Sequence, residues 1–293
     1  MFAHARILLR LAAWSALPLA AAAAAPNTNN FLFLDNGQLR LGVNTNWGAG
    51  IAWLSESGSS RNLVNHFDHG RLIQQSYYGE KDGSLWNKQP WSWNPVQGGD
   101  WRGHPAKVLE QKSGPGWLHS RSMAKHWASG ADLPGVTFEQ HITLTGRLAH
   151  VQFKMTYTGT NAHPRRDHEI PAVFVTPDLD QLALYDGAAP WTGGALHRSK
   201  PGWPNESRQM TEHWAAYVNT NDWGLGACVP AADRLTCYRY GRGANDPSAC
   251  SYFAPLTAFA IRPGTNFTYD VWLTIGTSGE IRERFSRLPR RQD

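Results

Sequence analysis

Three cysteines and 17% charged residues in a chain of 293 leave several protein classes without material. Cys228, Cys237 and Cys250 share one C-terminal stretch and lack the close paired spacing of a structural zinc site. Low charge without a long polar run excludes wholesale disorder. There is no Gly-rich phosphate loop, no Gly-x-Ser-x-Gly elbow and no His-Glu-x-x-His, so the familiar signatures of nucleotide, serine-hydrolase and zinc-peptidase chemistry are missing. The net charge of +5 is scattered rather than gathered in a stripe, and no nucleic-acid partner is expected. The one basic run, Arg282, Arg284, Arg287, Arg290 and Arg291, reads as a solvated terminus. No cofactor and no metal is expected, because His66, Asp68 and His69 form a lone cluster of a kind that is usually structural. No membrane span is expected, since the single apolar run is short and N-terminal.

That run reads as a secretory leader over residues 1–24. His4, Arg6 and Arg10 precede the apolar stretch 11–19, and small residues follow at 20–25. Its removal near Ala24 would leave a secreted or periplasmic chain of net charge +3, with residues 25–293 as a single domain. In an oxidising compartment two of the three cysteines are expected to pair; Cys237–Cys250 and Cys228–Cys237 both remain open.

What is abundant is Gly (28), Pro (18) and above all Trp (14). Apolar and polar residues alternate over 136–144 and again over 149–157, around a turn at 145–147, which predicts a β-hairpin with one buried side. A second hairpin is predicted for 214–229. Further strands are predicted at 39–43, 51–54, 172–175, 251–261 and 266–275, with one short helix at 278–285. Many short strands with frequent turn signals imply an all-β, antiparallel sandwich. Residues 79–135 are rich in Trp, Gly, Pro and Lys with little periodicity, and are expected to form a long functional loop region.

Four places concentrate reactive side chains. In 65–78, Asp68, His69, Arg71, Gln74, Gln75, Tyr77 and Tyr78 build a polar strand in which Arg71, Gln75 and Tyr77 alternate with Gln74 and Tyr78. Such a strand is expensive to bury unless each group is paired, either by a saccharide's hydroxyls or by an internal network. In 86–101, Trp86, Trp91, Trp93 and Trp101 crowd a loop with Gln97 and Asp100. Indoles at that density either stack on the apolar faces of sugar rings or pack back on the sheet. In 167–174, His168 and Glu169 point to opposite faces if extended, so only one can face a cleft. In 211–214, Glu212 and Trp214 share a face, and an apolar wall raises a carboxyl pKa towards that of a general acid.

The stretch from the 136–157 hairpin through Tyr157-Thr-Gly-Thr-Asn161 to the strand opening at His168 resembles the galactose mutarotase-like β-sandwich superfamily. The resemblance implies that fold, and places His168 where mutarotases carry a catalytic histidine. The second mutarotase histidine and the late carboxylate base have no evident counterpart here. The superfamily's fold also hosts polysaccharide hydrolases and lyases, so the resemblance implies sugar binding more than epimerisation.

The function these features predict is glycoside hydrolysis of a poly- or oligosaccharide. Glu212 is the expected general acid, Glu169 or Asp100 the base or nucleophile, and Asp68 a further candidate, with Arg71, Gln75 and His168 positioning hydroxyls. A lyase acting on a uronate glycan would draw on Arg71, Gln74, Tyr77 and His69. A non-catalytic carbohydrate-binding protein would need only the tryptophans. All three readings require distant segments to meet in one groove, with Trp93, Arg71, His168 and Glu212 among the side chains brought together.

Overall fold

A period-two alternation of apolar and polar side chains is what a half-buried strand demands. The computed structural model, which describes residues 30–241 and 246–289, is built almost wholly of such strands. The expected leader at 1–24 lies outside the described residues, as do Arg290 and Arg291.

Two antiparallel ladders face each other. The first runs β1 (Phe31–Asp35), β2 (Leu39–Asn44), β3 (Ile51–Glu56), β4 (Ile73–Ser76), β12 (His163–Val175), β19 (Cys250–Ile261), β18 (Arg234–Tyr240) and β15 (Glu206–Gln209). The second runs β8 (Lys107–Gly114), β9 (Trp117–His126), β10 (Asp132–Thr145), β11 (Leu148–Tyr157), β20 (Asn266–Thr277), β17 (Trp223–Cys228), β16 (Trp214–Val218), β13 (Gln181–Leu184) and β14 (His197–Ser199). The short β7 (Pro95–Val96) pairs with both β4 and β9 and ties the layers together. A separate hairpin is made by β5 (Lys81–Trp86) and β6 (Gln89–Ser92). Ile51, Val173, Leu235 and Phe253 of the first layer meet Phe138, Val151, Phe153 and Leu273 of the second in one buried core.

Both predicted hairpins form, the first in register from Val136↔Tyr157 to Thr145↔Leu148. The stretch 79–135 is not one long loop, because it contains β5 to β9 and the start of β10. Its strands escape the sequence pattern because the inward positions of β9 include Ser120 and Ser122, which are buried but polar.

The expected disulfide does not form. Cys237 sits in the main core, Cys228 packs with Trp214, Ile281 and Phe285, and Cys250 lies with Ala172, Phe174 and Tyr252 on the outer face of the first layer. Three separate packing regions hold three free thiols, and burial pushes their pKa values to about 12 for Cys228 and Cys237 and about 11 for Cys250.

The helix α1 (Ser278–Ser286) opens on a capping box: Thr277 accepts from the Glu280 amide, and the Glu280 side chain accepts from the Thr277 amide. Ile281 and Phe285, one turn apart, bury against Trp214 and Cys228. The arginines of this segment are therefore not simply a solvated terminus. Arg282 and Arg284 turn inward, Arg284 donating to the Ile275 carbonyl at 2.7 Å. No helix among the described residues is long and apolar enough to cross a membrane.

Candidate functional site

Strand parity decides which of two neighbouring reactive groups is available. On β12 His168 points inward and Glu169 outward. His168 is fully buried, accepts from the Tyr78 amide at Nδ1 (3.1 Å), and meets the Phe259 carbonyl with Nε2 (3.0 Å). Its ring packs 4.2 Å from Phe259 and 5.4 Å from Tyr77. The expected catalytic histidine is thus a core residue, because the pleat turns it away from the outer face. Burial drives its pKa down to about 4.

This has a consequence for stability. Between pH 6.5 and about 4 the unfolded chain takes up a proton at this position that the folded chain refuses. Stability should therefore fall as pH drops through that window, by on the order of 3 kcal/mol, and level off below it. Denaturant unfolding of wild type and His168→Asn at pH 7, 5.5 and 4 checks this; an unchanged slope in the variant would assign the pH dependence elsewhere.

Glu169 lies on the other side of the pleat. Between Glu169↔Ser76 and Ala172↔Gln74, β12 carries one extra residue relative to β4. This bulge puts Glu169, Ala172 and Phe174 on one face. Ser76, Glu169, Leu256 and Arg234 stand directly opposite one another across four strands of that face. The hydroxyls of Tyr78 (2.8 Å) and Tyr252 (2.5 Å) both donate to Glu169 Oε1, and Ser76 supplies a further hydrogen bond. Glu169 nevertheless remains partly exposed. Burial of its surroundings raises the carboxyl pKa in spite of these donors, and burial together with the nearby carboxylate raises both phenols well above their usual range.

Aromatic rings continue the face to one side. Tyr252 packs against Phe174 (4.6 Å) and Tyr238 (4.5 Å), and Tyr238 meets Trp203 edge-on at 4.8 Å. Trp203, Tyr240 and Phe67 are 54%, 44% and 52% exposed, far more than rings of that size usually are. Arg71 lies over Phe67 and Tyr240, donates to the Ser248 carbonyl and sits 3.3 Å from Asp68. Burial raises the Asp68 pKa, while Arg71 and the Gly70 and Arg71 amides oppose the rise. Tyr238 is within electrostatic reach of Glu169, Arg71 and Asp68. The face thus gathers Glu169, Tyr78, Arg71 and Asp68 from the sequence-predicted set. It adds Tyr252, Tyr238, Trp203, Tyr240 and Phe67, of which Tyr238 and Tyr240 carry a signal in the sequence, the alternation Tyr238-Arg239-Tyr240.

The other predicted residues lie elsewhere. Glu212 is fully buried beside α1, where Arg282 Nε (2.9 Å) and Nη2 (2.5 Å), the Trp191 amide (2.6 Å) and Trp214 Nε1 (2.9 Å) saturate both oxygens. A carboxyl with no exposed surface and four donors is not placed to act as a general acid, and Trp214 serves that packing rather than a cleft. Asp100 is also fully buried, closing its own loop by accepting from the Arg102 and His104 amides and the His104 ring. Gln75, Gln97 and Tyr77 form an internal core network with Gln140: Tyr77 donates to Gln75 Oε1 (3.1 Å) and Gln97 to Gln140 Oε1 (3.2 Å). Gln74 holds the 69–70 and 98 backbone, and His69 packs on Trp47 at 4.3 Å. Trp93 stacks on His163 at 3.9 Å and meets Tyr157 in an edge contact at 5.6 Å. Trp86 and Trp91 pair at 5.2 Å on the β5–β6 hairpin, and Trp91 donates to Asn94, which donates in turn to Ser76 beside Glu169. Trp93, Arg71, His168 and Glu212 therefore do not share a groove: they occupy a stacking site on the sandwich, the outer face, the core and the helix contact.

No protein-family model matches the sequence, and a search of curated proteins also finds no match. Solved structures do match. A galactose mutarotase-like protein from Lactobacillus casei superposes with a TM-score of 0.53 at 12% identity, over 84% of this chain and 99% of that one. A galactose mutarotase related enzyme from Lactobacillus acidophilus gives 0.52 at 9% identity, over 84% and 97%. A protein from Synechocystis gives 0.51 at 14%, over 89% and 100%. At such identities the likeness is one of architecture. Antiparallel layers, register and superposition together identify the fold as the galactose mutarotase-like β-sandwich.

Proposed function

We propose that the chain is a secreted carbohydrate-active enzyme, a glycoside hydrolase whose general acid is Glu169 and whose second carboxyl group is Asp68. One observation carries this reading: a half-buried glutamate with a raised pKa, its carboxyl fixed by two phenols, on a face lined by rings that stack well on sugars. A carboxyl that keeps its proton above the ordinary range can hand it to a departing glycosidic oxygen. Tyr78 and Tyr252 are donors, not bases, because burial holds their phenols protonated.

The residues required by the lyase reading are divided between layers, with Arg71 outward and Tyr77 in the core. A histidine-based epimerisation finds His168 in the core as well. The decisive experiment is a panel of poly- and oligosaccharides incubated with purified protein, read for new reducing ends, for ultraviolet-absorbing unsaturated ends and for binding. New reducing ends alone are expected. Unsaturated ends would make it a lyase, and binding without either would make it a carbohydrate-binding protein.

A further inference from the structure

Resting on the assignment of Glu169 as the acid, we infer that the depression beside Arg234 is a second sugar subsite, and that the substrate is a neutral glycan chain lying across Glu169 rather than a single sugar. The depression has a volume of about 430 Å³ and is lined by Arg165, His213, Asp233, Arg234, Leu256 and Thr257, among others. Leu256 is the direct cross-strand neighbour of Glu169, and Arg234 that of Leu256. Two of the hollow's lining residues, Leu256 and Arg234, thus stand in the same cross-strand row as Glu169, about 5 and 10 Å away by strand spacing. The exposed Trp203, Tyr240 and Phe67 lie beyond Tyr252 and Tyr238, past the other end of the strand segment that carries Glu169. Binding surface on both sides of the acid has no use for a monosaccharide.

The lining suits hydroxyl groups. Among the described residues Arg165 has neither an ion-pair nor a side-chain hydrogen-bond partner, which leaves its donors open. His213, held at φ +59°, spends Nδ1 on the Ala232 carbonyl (2.8 Å), so its other ring nitrogen is available as an acceptor. Arg234 is occupied by Asp167 in a two-pronged ion pair (3.0 and 2.5 Å), and Asp233 adds a further acidic group. Positive and negative groups therefore balance, as Arg71 and Asp68 balance at the aromatic end. A groove that offers donors and acceptors without a net field fits neutral sugars better than uronates or sulfated ones.

The test uses oligosaccharides of increasing length, taken from whichever neutral glycan the panel shows to be cut, alongside an acidic glycan. Wild type should cut internally and show kcat/KM rising with length. The Arg165→Ala/His213→Ala variant should lose about tenfold more on long chains than on disaccharides, the equivalent of one subsite contact. Trp203→Ala should show the same length-selective loss. Release of single terminal sugars, an equal loss at every length, or a preference for the acidic glycan would overturn the inference. Activity that still depended on Glu169 in those cases would leave the acid assignment standing, whereas indifference to Glu169→Gln would remove it.

Discussion

Glu169→Gln is expected to lower turnover of the glycan substrate by roughly 10²–10⁴-fold, the range associated with loss of a general acid. The amide can still accept hydrogen bonds from Tyr78 and Tyr252 at its oxygen, so the cradle keeps its shape while the transferable proton is lost. Thermal unfolding should accordingly change little. The pH profile gives the sign. Burial raises the Glu169 pKa, so the protonated, active form survives to higher pH than for an ordinary glutamate, and the rate falls as pH rises through that raised value. Tyr252→Phe removes one donor to the carboxylate form and should move that falling limb further upward, whereas a purely structural tyrosine would leave its position alone. A Glu169→Gln protein of wild-type turnover would end the assignment.

Arg282→Met is expected to destabilise the chain by about 3–5 kcal/mol, because it strands the fully buried Glu212 without its cationic partner. Arg282 grips both oxygens of Glu212 and donates a third bond to the Gly194 carbonyl at 2.5 Å, so three segments distant in sequence lose their common tie together. The double variant Glu212→Gln/Arg282→Met should recover part of the loss, since no uncompensated charge is then buried. Chemical denaturation of the three proteins measures both effects. Equal stability of Arg282→Met and wild type would mean that the pair is energetically neutral, and the packing of Ile281 and Phe285 would then be what holds α1.

The strands that could be read from sequence are those whose inward residues are apolar. Phe138, Ile142, Val151 and Phe153 announce the β10–β11 hairpin, and Ile281 and Phe285 announce the helix. What escaped were strands with polar interiors, as at Ser120 and Ser122, and every consequence of pairing between distant segments. The same limit governed the site. Alternation shows that His168 and Glu169 face opposite ways, but which face is the core depends on Phe259 and Tyr77, far off in sequence. Glu212 beside Trp214 looked like an acid against an apolar wall because Arg282, seventy residues on, was invisible as its partner. The glutamines and Tyr77 had two open explanations, a ligand or one another, and only the layering of β4 on β10 selects the second.

The three unpaired cysteines give the molecule a built-in set of reporters. Each is the sole thiol of its own region: the interior between the layers, the seat of α1, and the ring-lined outer face. A slow alkylating reagent would tag each only when its surroundings open, so the order of labelling maps which region breathes first.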